Sequence, residues 1–145
     1  MSKKKSEEEI EGWIEYRKSL LEQKSKSDDD FEKYITFIAS GALGLTLTFM
    51  ENISPLKSAI HKWLIAVGWV LLAITLLLNL FSHFLSSRYT SKSIDEIDDE
   101  INYDELRENL NKRNKIIECL NISSILALFI GIIFILIFVI INSLK

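Results

Sequence analysis

The stretch Cys119 to Leu144, CLNISSILALFIGIIFILIFVIINSL, carries no formally charged side chain. An α-helix rises about 1.5 Å per residue and the hydrocarbon core of a bilayer is about 30 Å thick, so roughly 17 to 25 apolar residues suffice to cross it. This run clears that length, as does a second uncharged run, Trp63 to Ser87. A third, Tyr34 to Met50, is shorter and reaches only about 25 Å as a helix, with Gly41 and Gly44 lowering its intrinsic helicity. It crosses with little tilt or by drawing in flanking residues.

Outward from these runs, the rest of the chain is wet. Of 145 residues, 48% are hydrophobic and 26% charged, ordinary proportions for a soluble domain; here the two classes are segregated along the chain and not interleaved. The expected fold is therefore all-α, a membrane protein with three transmembrane helices plus cytoplasmic amphipathic helices. The segments read as residues 1–33, an amphipathic N-terminal helix; 34–53, the first span; 54–62, a short extracytoplasmic turn; 63–87, the second span; 88–117, a cytoplasmic helical connection; and 118–145, the third span with a short tail. Asp28, Asp29 and Asp30 precede the first span, where carboxylates favour a helix N-terminus, and Asn52 and Pro55 are expected to stop it.

Orientation follows from Lys and Arg. Eight precede Tyr34, two (Lys57 and Lys62) lie in the first connection, six (Arg88, Lys92, Arg107, Lys112, Arg113 and Lys115) in the second, and Lys145 alone ends the chain. That alternation fits three spans with the N-terminus in the cytoplasm and the C-terminus outside. The first 33 residues are charged throughout and hold no apolar core of a secretory signal. Trp63 beside Lys62 and Tyr89 beside Arg88 suit the two interfaces.

Each span carries a stripe of small or polar residues. In the first, Thr36, Ser40, Gly44 and Thr48 recur every four residues; in the second, Thr75, Asn79, Ser82, His83 and Ser86 follow at short helical steps; in the third, Ser123, Ser124, Ala127 and Gly131 form a seam. Close approach over small residues holds helices together in lipid, where there is little hydrophobic drive between them. Such stripes read as helix-packing grooves or, alternatively, as a hydroxyl-lined water or ion path. Asn79 must face a partner helix or water, because an uncompensated amide in hydrocarbon is costly. His83 reads as a headgroup-level residue or, since histidine titrates near neutral pH, as a proton-responsive one.

The wet segments are amphipathic. Ile10, Trp13, Ile14, Leu20 and Leu21 form one apolar face, and Ser6 with Glu9 resembles a capping box. Ser93 with Glu96 repeats that pattern ahead of Ile94, Ile97 and Ile101, with Leu106 and Leu110 leading into the third span and a bend expected at Asn102 to Asp104. From Ser6 to Lys26 acids outnumber bases, which disfavours anionic lipid as the partner and favours a protein, either a soluble cytoplasmic partner or the chain's own second amphipathic segment. The acids from Asp95 to Glu100 lack the glycine and ligand spacing of a calcium-binding loop.

A net charge of −3 and the lack of a basic patch interleaved with aromatics argue against nucleic acid as a partner. Cys119, the single cysteine, has no base at a fixed spacing. No glycine-rich phosphate loop, G-x-S-x-G motif or pair of intramembrane carboxylates occurs, so neither an enzyme nor a bound cofactor is expected.

The segment from Ile38 to Phe49, Ile-Ala-Ser-Gly-Ala-Leu-Gly-Leu-Thr-Leu-Thr-Phe, followed by a tryptophan-bearing second span, resembles small two- or three-span bacterial membrane proteins found as effector or accessory subunits of antiphage defence systems. The resemblance covers about 50 residues. It implies an effector of the bacterial inner membrane that damages the bilayer or forms a pore, and so permeabilises or depolarises it, when a cytoplasmic trigger arrives; the small-residue faces point to assembly as a homo-oligomer or beside a partner. The residues leave two alternatives: an anchor that recruits a soluble partner, and a holin-like lysis protein.

Overall fold

The structure, a computed structural model, describes residues 7–53, 56 and 58–143, with the backbone alone at residues 7–11, 13 and 51–53. Ser6, Pro55 and the side chains of Ile10 and Trp13 lie outside the described residues. Three helices follow in order: α1 (Glu7–Ile53), α2 (Trp63–Asp98) and α3 (Tyr103–Ser143). Each contains a window long and apolar enough to cross a membrane, and no strand occurs among the described residues. The chain is thus an all-α, multi-pass membrane protein.

Two compact units divide it, Met1–Tyr34 and Ile35–Lys145. In the first, the described residues form one helical stretch whose Ile14, Tyr16, Leu20 and Leu21 are exposed. The second unit holds the remainder of α1 and the long antiparallel hairpin of α2 and α3.

The hairpin owes its packing to a repeating step of three and four residues. On α2 the buried positions are Leu64, Ile65, Gly68, Leu72, Thr75, Asn79 and Ser82; on α3 they include Arg113, Ser124, Ala127, Gly131, Ile135 and Phe138. This spacing keeps one stripe of each helix turned toward its neighbour. Gly68 and Gly131 mark the tightest crossing. A Cβ on Gly68 would lie 2.6 Å from Ile135 Cγ1 and 3.1 Å from the Gly131 carbonyl oxygen; one on Gly131 would lie 3.2 Å from the Gly68 oxygen. Only glycine lets the two backbones come this near. Above the crossing, Met50, Leu64, Ile65 and Phe138 form an apolar cluster, and the Trp63 ring meets Phe134 edge-on at 5.9 Å. From α1, Ile35, Ala39 and Met50 are buried.

Beyond the apolar runs, α2 continues unbroken to Asp98, so Ser93 and Glu96 do not open a new helix as their spacing suggests. Neither glycine nor proline interrupts the backbone after Gly68. The Ser93 hydroxyl donates to the Tyr89 carbonyl one turn back (2.7 Å), and the Glu96 side chain turns to α3. α1 ends at Ile53, between the Asn52 and Pro55 expected to stop it.

α2 ends in a Schellman motif: the Ile101 N–H donates to the Glu96 carbonyl and the Glu100 N–H to Ile97, with Glu100 in the left-handed region at φ 53°. The bend expected at Asn102 is there for a specific reason. The Asn102 Oδ1 accepts the Asp104 N–H at 3.1 Å and so caps α3, whose first turn carries Asp104 and Glu105 against the helix dipole. Further along, Lys112 pairs with Glu108 at 2.7 Å; its hydrogen bond, then its charge, hold that exposed carboxyl below the usual range.

A left-handed Glu is strained where glycine is not. Glu100→Gly is expected to stabilise the hairpin by ~0.5 to 1 kcal/mol, raising the thermal midpoint in detergent, while Asn102→Ala lowers stability by about 1 kcal/mol. A lower midpoint for Glu100→Gly would show that the turn is not held in this conformation.

Candidate functional site

Polar side chains within the spans are the chemistry-bearing groups of this chain, and α2 organises them. Thr75 donates to the Leu71 carbonyl (2.9 Å) and approaches the Ser124 carbonyl on α3 at 3.4 Å. One turn on, Asn79 Nδ2 donates to Thr36 Oγ1 of α1 at 2.6 Å. Ser82 then donates to Asn121 Oδ1 of α3 at 2.8 Å, and the Ser124 hydroxyl donates to the Asn121 carbonyl at 2.9 Å. Nearer the other end of the span, the Trp69 indole N–H donates to Thr46 Oγ1 (3.0 Å), whose own hydroxyl donates to the Ala42 carbonyl. The result is a ladder joining α2 to α1 on one side and to α3 on the other. In lipid each such bond is worth about 0.6 to 2 kcal/mol, and the alternative of an unpartnered polar group costs more.

The seam turns ionic where the hairpin leaves the apolar runs. Arg113 is 8% exposed; it donates to Ser93 Oγ at 2.7 Å and pairs with Glu96 Oε1, which also accepts from Asn109 Nδ2 at 3.3 Å. Glu96 Oε2 is buried with no hydrogen-bond partner among the described residues. A charge pair out of water contributes little net stability, but removal of one partner strands the other.

The stripes read from sequence therefore separate. Thr75, Asn79, Ser82, Ser124, Ala127 and Gly131 are brought together inside the bundle, and Thr36 joins them through Asn79. Ser40, Gly44 and Thr48 are exposed; a Cβ on Gly41 or Gly44 would meet nothing within 4 Å. The hydroxyls of Ser40 and Thr48 donate to carbonyls of their own helix, Thr36 and Gly44, at 2.7 and 2.8 Å. His83 is exposed, as is Cys119. Of the amphipathic residues, Ile14, Leu20, Leu21, Ile94, Ile97 and Leu110 are exposed, whereas Ile101 and Leu106 are half-buried.

Several structural residues escape the sequence reading. The cost argument that singles out Asn79 applies equally to Asn121 and Asn142, two amides inside the longest uncharged run. Gly68 stands seven residues before Thr75, in step with the seam. The pairing of Arg113 with Glu96 has no such signal, because both sit in a charge-rich segment that reads as a solvated face. Among the described residues no group of three or more His, Cys, Asp or Glu converges. No protein-family model, curated protein or solved structure matches the chain.

Arg113→Leu is expected to destabilise the hairpin by about 3 to 5 kcal/mol by stranding the Glu96 carboxylate, and Glu96→Leu added to it should restore most of that loss. Thermal unfolding of the two single variants and the double variant forms the cycle. Strictly additive losses would rule out a coupled pair.

Proposed function

We propose that the chain is a non-enzymatic integral protein of the bacterial inner membrane that assembles as a homo-oligomer through α1 and permeabilises or depolarises the bilayer on a cytoplasmic trigger, in the manner of antiphage defence effectors. The observation that carries this reading is the face of α1 around Ser40, Gly44 and Thr48. Two of the four span glycines, Gly68 and Gly131, are used at a backbone crossing, while Gly41 and Gly44 face open space. A glycine inside a helix costs about 1 kcal/mol relative to alanine, so two at which a Cβ would meet nothing among the described residues point to a neighbour in another chain. The Ser40 and Thr48 hydroxyls, bonded to their own backbone, leave that face smooth enough for a second helix to approach closely.

Asn79, Thr75 and Ser82 have a different role in this reading. Their groups bond within the bundle, so any aqueous path is lined by the α1 faces of several copies. The Lys and Arg alternation supports a cytoplasmic N-terminus, which puts the exposed Ile14, Leu20 and Leu21 and the hairpin end where a trigger arrives.

An anchor or assembly subunit is the second reading, favoured by the exposed Ile94, Ile97 and Tyr103 on the hairpin beyond the spans. Expression in bacteria with a potential-sensitive dye separates the readings. An effector depolarises cells only when triggered, as by phage infection beside its neighbouring genes. A holin-like protein does so unaided, and an anchor does neither.

A Cβ at Gly44 meets nothing within 4 Å among the described residues, so with Gly44→Leu insertion and helix content are expected to be unchanged while triggered dye influx falls at least tenfold. Full influx with Leu at this position would refute assembly through α1. Asn79→Leu is less discriminating, because it also removes the bond to Thr36.

A further inference from the structure

At the α2 N-terminus, opposite the hairpin turn, Leu56, Lys62, Ile65, Ala66 and Trp69 line an open groove of about 400 Å³. Among the described residues that line it, the walls are hydrocarbon and indole and the one charge is the ammonium of Lys62. The floor is Ile65, almost completely buried in the seam; one wall is Trp69, fixed by its indole bond to Thr46. Ala66 is the smallest lining side chain, and its size keeps the groove open.

The rim is built and not loose. Asn142, from the far end of α3, clamps the connecting loop: its Oδ1 accepts the Ile60 N–H at 2.8 Å and its Nδ2 donates to the Ile60 carbonyl at 3.1 Å. That clamp sets the backbone just before Lys62, the N-cap residue of α2. Lys62 provides no side-chain cap, and the first turn of α2 carries no acidic residue. The amino end of the helix and the lysine therefore present positive charge together, without the carboxylate that usually balances a helix start. Trp63, exposed beside them, stands at the start of an apolar run, the level at which tryptophan marks a membrane interface.

An apolar slot entering the span beneath a cationic rim matches a phospholipid with net negative charge. We infer that this groove seats an anionic phospholipid, one acyl chain against Ile65, Ala66 and Trp69 and the phosphate at Lys62 and the amino end of α2. The site depends on the bilayer setting of α2 and is independent of how α1 assembles. A soluble ligand fits less well, because the described lining offers one charged group, Lys62, and is apolar below it. Charge, not slot shape, selects the lipid: a zwitterionic phospholipid fills the same slot but brings an ammonium that opposes Lys62.

The test uses the full chain with Trp13 and Trp63 replaced by Phe, so that Trp69 is the only indole, in nanodiscs of phosphatidylcholine. Phosphatidylglycerol with brominated acyl chains, added as a minor component, is expected to quench Trp69 with about fivefold preference over brominated phosphatidylcholine. Lys62→Gln should bring that ratio to near one, leaving helix content unchanged. Ala66→Phe should abolish saturable quenching by both lipids, and Lys92→Gln, on the hairpin side of α2, should alter neither. Equal quenching by the two lipids in the parent protein, or a preference that survives Lys62→Gln, would overturn the assignment and reduce the groove to ordinary lipid contact. Saturable quenching that persists in Ala66→Phe would do the same.

Discussion

The hydrogen bond from Asn79 to Thr36 illustrates the constraint on which the bundle is built: in hydrocarbon a polar side chain must find its partner inside the protein. α2 carries Thr75, Asn79 and Ser82 along one stripe. Three apolar helices pack almost equally well in several registers when the attraction between them is only van der Waals contact. Each amide or hydroxyl that must meet a particular acceptor removes all registers but one. Asn121 meets Ser82 and Thr36 meets Asn79 only when α3 and α1 are seated at one height along α2. The ladder thus contributes specificity more than gross stability, and the close crossing at Gly68 and Gly131 supplies the contact area that the ladder then aligns.

The same logic continues past the apolar runs with different chemistry. Where water is available, hydroxyl bonds lose their force, and the seam passes to Arg113 with Glu96, Ser93 and Asn109. An ion pair in that position does for the wet hairpin what the ladder does within the span. It penalises every slipped arrangement by leaving a charge unpaired. The Schellman turn at Glu100 and the Asn102 cap fix the hairpin's length at the turn, which adds to the register set by the ion pair.

How far the sequence reveals this depends on the scale of the signal. Three spans follow from the length of uncharged runs, an aggregate property that no single residue can disturb. The inward face of α2 is also legible, because Thr75, Asn79 and Ser82 are conspicuous against leucine. The end of the connection is only half legible. Ser93 and Glu96 have the spacing of a helix start, but one unbroken helix carries them past that reading, and spacing alone cannot distinguish a cap from two residues that face a neighbouring helix. For α1 the difficulty is a matter of degrees of rotation. The stripe of Thr36, Ser40, Gly44 and Thr48 is obvious, yet Ile35, Ala39 and Met50, about 100° away, turn inward. A stripe of small residues announces close packing without saying whether the partner belongs to the same chain.

That ambiguity bears on mechanism. The effector proposed above needs one part that keeps its shape and one part free to meet its copies. α2 and α3 are joined by buried polar bonds, a glycine crossing and an ion pair, each of which raises the cost of separating them. The outer face of α1 presents the Ser40 and Thr48 hydroxyls, bonded to their own backbone, and two glycines at which a Cβ would meet nothing within 4 Å among the described residues. Under that proposal, rearrangement is expected at α1 and not within the hairpin, since moving the outer face of α1 against another copy breaks no bond now made by Ser40 or Thr48. The bond from Asn79 to Thr36 sets the boundary between the two parts, because a rotation of α1 large enough to turn Gly44 inward would also carry Thr36 away from α2 and leave an amide in hydrocarbon without its acceptor.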